Sequence, residues 1–170
     1  MTSEPVPADY IDRIAGARSW RVANTMWARM GGLLWADAML EPWPVGEEFR
    51  ATCTVTGIPH EIPGELCSCG VWAWYTPEHL VNHWRGYNSE DCRRVTGIVS
   101  GAGVMWLHEL GWRAQQVRVE AIFKDDVPEE LLPTTKREIS AAYDIPVIVP
   151  EEYATFCEKQ GLAMIRPEDL

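Results

Sequence analysis

The sequence predicts an α+β fold: one β-rich domain, a curved antiparallel sheet or small barrel, with helices packed at its periphery. Three observations predict it. Residues 94–108 and 112–123 read as two long strands around Glu109-Leu110-Gly111. Residues 49–56 and 66–75 are shorter stretches rich in β-branched and aromatic side chains, bounded by Gly and Pro. Three helix starts follow, at Thr76-Pro77-Glu78, at Thr134-Thr135 and at Pro150.

A chain of 170 residues, 46% hydrophobic and 24% charged, can bury a core without staples. Residues 1–8 carry two prolines and no period, and are expected to be a loose tail before a single domain over 9–170. Residues 9–17 place Tyr10, Ile11 and Ile14 on one side of a short helix. Residues 18–24 alternate as a strand, with Trp20 and Val22 on one face and Arg21 opposite. Residues 25–40 are ambiguous. Trp27, Met30 and Leu34 have helical spacing, but Gly31-Gly32 interrupts it at about 1 kcal/mol per glycine. A loop to the glycine pair, then a strand over 33–38, is the preferred reading.

Pro42 and Pro44 break the chain before the 49–56 strand, which carries Cys53 on the face of Phe49, Ala51 and Val55. Residues 57–64 form a loop. On 66–75, Cys67, Cys69, Val71, Ala73 and Tyr75 share one face, while Trp72 and Trp74 point the other way. The helix capped by Thr76 runs to about residue 84. Gly111 offers the positive φ that a short hairpin turn needs. Gly101 and Gly103 predict a bulge of the kind that bends a small barrel. Val117, Val119, Ala121 and Phe123 share one face of the second long strand, with Gln116, Arg118 and Glu120 opposite. A helix over 135–143 turns Ile139, Ala142 and Tyr143 inward. Pro146 confines 145–149 to a sheet edge. A last helix over 151–160 ends at Gly161.

No run of about 18 apolar residues is present, so no membrane span is expected. The acidic N-terminus lacks the apolar segment of a secretory signal. A cytoplasmic location follows, where thiols stay reduced. Five cysteines, an odd number, also argue against a closed disulfide framework.

The formal charge is −10 and the pI about 4.8. Direct nucleic-acid binding is disfavoured by repulsion from phosphates. The last sixty residues hold twelve acids against seven bases. They read as a solvated face, or as an acidic surface for a protein partner or for nucleic-acid mimicry. A homo-oligomer stays open.

Cys53, His60, Cys67 and Cys69 fall in one short run. Zinc takes four N or S ligands in a tetrahedron, and these four residues would fill it as a closed structural site. C-x-x-C is the commoner knuckle spacing, so buried unliganded thiols, and redox or iron–sulfur roles, stay open beside zinc. His79 and His83 stand four apart on the 76–84 helix, where two exposed histidines are the plainer reading. A small enzyme using a reactive Cys/His pair near residues 60–69 is the alternative to a non-enzymatic binding module. No Walker loop, nucleophile elbow or dinucleotide fingerprint is present, and no catalytic residue is assigned.

Trp72, Trp74, Trp106 and Trp112 lie on the best-defined strands. They fill a core or build a stacking or cation-binding pocket, and Trp106 and Trp112 face each other across the hairpin. Arg113 is the candidate charged contact at the mouth of such a pocket.

Ser19-Trp20-Arg21-Val22, Trp43, Ala51-Thr52-Cys53, Pro59-His60-Glu61, Cys67-Ser68-Cys69-Gly70-Val71-Trp72-Ala73 and Val95-Thr96-Gly97 occur in one order. His108-Glu109-Leu110-Gly111-Trp112-Arg113-Ala114 and Tyr143-Asp144-Ile145-Pro146-Val147 follow. Together they cover most of residues 17–149 and resemble a family of uncharacterised actinobacterial and phage proteins. The C-x-C-G-hydrophobic-aromatic-Ala and H-E-x-G-W-R-A blocks are the specific parts. Residues 23–34 are longer than the family's turn, and Ser100-Gly101-Ala102-Gly103 replaces a Trp-Gly step. The resemblance implies a β-rich fold and a phage or accessory role, and brings no activity.

Overall fold

The hairpin of β6 (Arg94–Leu107) and β7 (Gly111–Phe123) is the most extensive pairing in the sheet, and β1, β2, β4, β5 and β8 pair directly with it. In this computed structural model the described residues are 5–6, 12–22, 33–36, 42–53, 59–84, 94–124 and 134–166. They add β1 (Pro5–Val6), β2 (Ile14–Val22), β3 (Leu34–Trp35), β4 (Phe49–Arg50), β5 (Val71–Trp74) and β8 (Val147–Ile148). The helices are α1 (Pro77–Trp84), α2 (Lys136–Tyr143) and α3 (Tyr153–Gln160), the last entered through a 3-10 turn at Pro150–Glu152.

The strands order as β1-β6-β2-β5-β7-β4, with β3 on β2 and β8 on β7. The β6–β7 pairing completes a circuit β6–β2–β5–β7–β6, in which β2 meets β5 at Ala17 and Trp74 alone. The sheet is β-rich as expected but mixed rather than wholly antiparallel, because β8 runs parallel to β7. A parallel neighbour needs a crossover, and the chain from 124 to 146 supplies one that includes α2.

The expected helix over 9–17 is replaced from residue 14 onward by β2. Ile14 to Arg21 pair residue by residue with Gly101 to Arg94. The small side chains of Ala15, Gly16 and Ala17 suit that strand to close packing. A Cβ on Gly16 would lie 2.8 Å from the Ala73 Cβ and 2.9 Å from the Trp112 ring. Tyr10 and Ile11 lie outside the described residues. Trp20 and Val22 are buried and Arg21 is exposed, as the alternation requires. Pro5–Val6, expected in a loose tail, pair with Trp106 and Met105 of β6.

Two glycine expectations separate. Gly103 takes φ +74° at a register shift between Ala102 and Met105, so the bulge is real. Gly111 supplies no positive φ to the turn. It lies in the strand, where a Cβ would stand 2.1 Å from the Ala73 carbonyl oxygen. The glycine is there to let β5 approach β7.

Two buried clusters flank the sheet. One holds Trp20, Leu34, Trp43, Phe49, Val71, Ala73, Tyr75, Val99, Met105, Trp112, Val117, Ile139 and Tyr143. Trp20 meets Trp43 edge-on at 5.4 Å, and Trp43 stacks on Phe49 at 4.7 Å. The other, beneath α1 and α3, holds Ala15, Ala17, Leu80, Ile98, Ala121, Phe123, Tyr153 and Cys157. The helix starts are as expected. His79 N–H donates to Thr76 Oγ1 at 3.3 Å, and Thr135 and Glu138 form a capping box. Ile139 and Tyr143 point inward, but Ala142 is exposed. Gly161 caps α3 at φ +66°. Among the described residues no helix is long and apolar enough to cross a membrane.

Candidate metal centre

The four residues singled out by their spacing meet at one point. One ligand atom each from Cys53, His60, Cys67 and Cys69 lies within 4.8 Å of all the others. They arrive from two sides. β4 is held on β7 by the pairs Phe49–Val117 and Arg50–Gln116, and Ala51 N–H extends the contact to Gln115 O at 2.9 Å. Cys53 follows two residues later. The regular strand ends at Arg50, not at residue 56, and residues 54–58 lie outside the description.

His60, Cys67 and Cys69 come from the segment before β5. That strand begins at Val71, so the C-x-C pair is not on an extended strand as the alternation implied. Gly70 at φ +102° turns the chain just before the strand, and Cys67 N–H closes a turn onto Gly64 O at 3.3 Å. A turn, rather than a strand, brings both sulfurs to one side. Gly64 is the position that sequence reasoning left unused. A Cβ there would lie 2.5 Å from His60 Cδ2, and its N–H donates to Cys69 Sγ at 3.2 Å. Its place between a histidine and a C-x-C pair was the available signal.

The four atoms are close enough together to hold a metal ion. Zn–S near 2.3 Å and Zn–N near 2.0 Å put tetrahedral ligand atoms about 3.5–3.8 Å apart. Cys53 Sγ and Cys67 Sγ are 3.6 Å apart, and His60 Nε2 and Cys69 Sγ 3.2 Å. A disulfide would need about 2.05 Å, so the 53–67 pair is not one. Cys69 is buried, and Cys53 and Cys67 are half-buried. Burial pushes the Cys69 thiol up, and its thiol neighbours Cys67 and Cys53 add to this, while the Gly64 N–H opposes it.

Beneath the loop lies a cross-strand row, Trp72–Arg113–Trp106, on one face of β5, β7 and β6. All three reach up to loop carbonyls. Trp106 Nε1–H donates to Pro63 O at 3.0 Å, and Trp72 Nε1–H to Ser68 O at 3.1 Å. Arg113 Nη1 donates to Gly64 O at 3.4 Å, to Cys69 O at 3.1 Å and to Cys67 O. Its Nε donates to His108 Nε2 at 3.0 Å, which puts the proton of neutral His108 on Nδ1. His108 stacks on Trp72 at 4.8 Å, and the Arg113 guanidinium lies 5.2 Å from the Trp72 ring centre. Burial, and then Arg113, lower the His108 pKa. Burial lowers that of Arg113, against the pull of Cys69 and Cys67.

These placements correct the aromatic reading. Arg113 is 4% exposed beneath the loop, not at the mouth of a pocket. Trp106 and Trp112 do not face each other, because their registered partners are Arg113 and Leu107 and those pairs point to opposite faces. Trp112 is wholly buried, with Nε1–H donating to Ala15 O at 3.0 Å. Trp74 packs half-buried against the second cluster, and Trp72 is 45% exposed. Cys92 and the side chain of His83 lie outside the described residues. No protein-family profile, curated protein or solved structure matches this chain.

Proposed function

We propose that this protein is a non-enzymatic binding module. Its 59–69 loop is held by a structural zinc ion, and its acidic surface receives a protein partner. The observation that carries the reading is the convergence of Cys53, His60, Cys67 and Cys69 within 4.8 Å. Three sulfurs and one imidazole suit zinc and suit oxygen-seeking cations poorly. The four side chains would fill all four tetrahedral positions, so the ion would have no open position for a reacting water.

A clamped loop presents what it carries. Leu66, between the ligands His60 and Cys67, is 99% exposed, and Glu61 and Glu65 of the same loop are exposed acids. An exposed apolar side chain on an acidic loop suits a partner with an apolar pocket and a basic rim. The resemblance to actinobacterial and phage proteins adds an accessory role. Limited proteolysis of the full chain tests the clamp. Cleavage within 59–69 is expected to be slow with zinc and fast after chelation, and equal rates would end the reading.

The 3.2 Å approach of His60 to Cys69 favours a second reading, a small enzyme with a Cys/His pair. Rapid alkylation of one thiol in the folded, metal-free chain would support it.

A further inference from the structure

A buried guanidinium in a metal-binding fold raises the question of what balances it. Arg113 sits on β7 between β5 and β6, 44 to 49 residues from the loop it touches. It is among the few buried charged side chains of the described residues. Its donors go to three backbone carbonyls and a neutral imidazole, none of which carries a formal charge. A buried cation without a compensating charge is expensive. Three thiolates and a neutral imidazole around a divalent ion leave one net negative charge, directly above the guanidinium.

We infer that Arg113 is the positioning residue of the metal centre: it fixes the carbonyls of Gly64, Cys67 and Cys69 and offsets the charge of the loaded site. The inference rests on the zinc reading above. Two of those carbonyls belong to ligand residues themselves, so their peptide planes, and with them the Cα–Cβ directions of Cys67 and Cys69, are set from below. Arginine suits this because its donors lie in one rigid plane. Nη1 serves the loop while Nε holds His108, and Trp72 lies against the guanidinium. Lysine would bring the charge without the fork. Outer partners that orient ligands are worth about 10–100-fold in metal affinity.

Cobalt(II) titration of the full chain, with zinc competition, tests this on wild type, Arg113→Met and Arg113→Lys. Wild type is expected to bind one cobalt with thiolate charge-transfer and tetrahedral d–d bands. Arg113→Met should bind about 10–100-fold more weakly, and Arg113→Lys should recover part of that loss through its charge. Far-UV circular dichroism at saturating metal reports whether each variant is folded. Where Arg113→Met does not fold, Arg113→Lys alone decides, with a loss of about tenfold expected. Wild-type affinity within about twofold in the folded variant overturns the inference while leaving the zinc reading intact. A wild type that binds neither metal overturns both.

Discussion

A Cβ on Gly111 would stand 2.1 Å from the carbonyl oxygen of Ala73, so β5 and β7 meet at a position that only glycine fills. The obstacle is backbone held by the Ala73–Trp112 and Trp74–Gly111 pairs, not a side chain that can swing away. Gly111→Ala is therefore expected to destabilise the fold by about 1–3 kcal/mol, read as a lower midpoint in denaturant unfolding. An unchanged midpoint would mean that the two strands have room to part.

Tyr143 on α2 closes a long-range link of a different kind. Its hydroxyl donates to Trp43 O at 2.8 Å and accepts from Leu34 N–H at 3.2 Å, both buried. Tyr143→Phe keeps the ring and strands two buried backbone groups. A loss of about 1–3 kcal/mol is expected by chemical denaturation. A loss below about 0.5 kcal/mol would place water or a shifted backbone at that site.

Trp112 lies on the two glycines opposite it. Cβ atoms on Gly16 and Gly101 would stand 2.9 Å and 2.7 Å from its ring. Trp112→Ala would leave a cavity at the centre of the first cluster and release the Ala15 carbonyl. The expected cost is about 3–5 kcal/mol. A near-native melting temperature would show that the core collapses into the space.

Glu138 gives the stability a pH dependence. The Thr135 N–H at 2.8 Å, and then its hydroxyl at 2.9 Å, hold this carboxyl below the usual glutamate range. A lowered folded pKa stabilises fully above the unfolded value, and that contribution disappears as pH falls through the folded one. Glu138→Gln should therefore be less stable than wild type at neutral pH, with the gap closing in acid. Parallel stability curves across that range would contradict the capping-box assignment.

Much of this was legible along the chain, and the reason is local chemistry. Thr76-Pro77, Thr135 with Glu138, and Gly161 act through bonds within a few residues, and those helix ends stand where the sequence puts them. The β6–β7 hairpin is likewise a local pairing. The four-ligand convergence was readable from residue type and spacing, although the C-x-C pair reaches it from a turn rather than a strand. What was not legible depends on distant partners. Ile14–Ala17 carry weak helical spacing, but pairing with β6 and the close approach of Trp112 override it. Arg113 reads as a contact at the mouth of a pocket until β5 and β6 are set on either side of it. Gly111 resembles a turn residue until Ala73, far off in sequence, is placed against it.

Native mass spectrometry of the full chain from zinc-replete growth tests the central claim most directly. The account predicts one zinc per chain, removed by chelation together with the protection of residues 59–69. A folded chain that carries no metal, and keeps the loop protected in chelator, would contradict it.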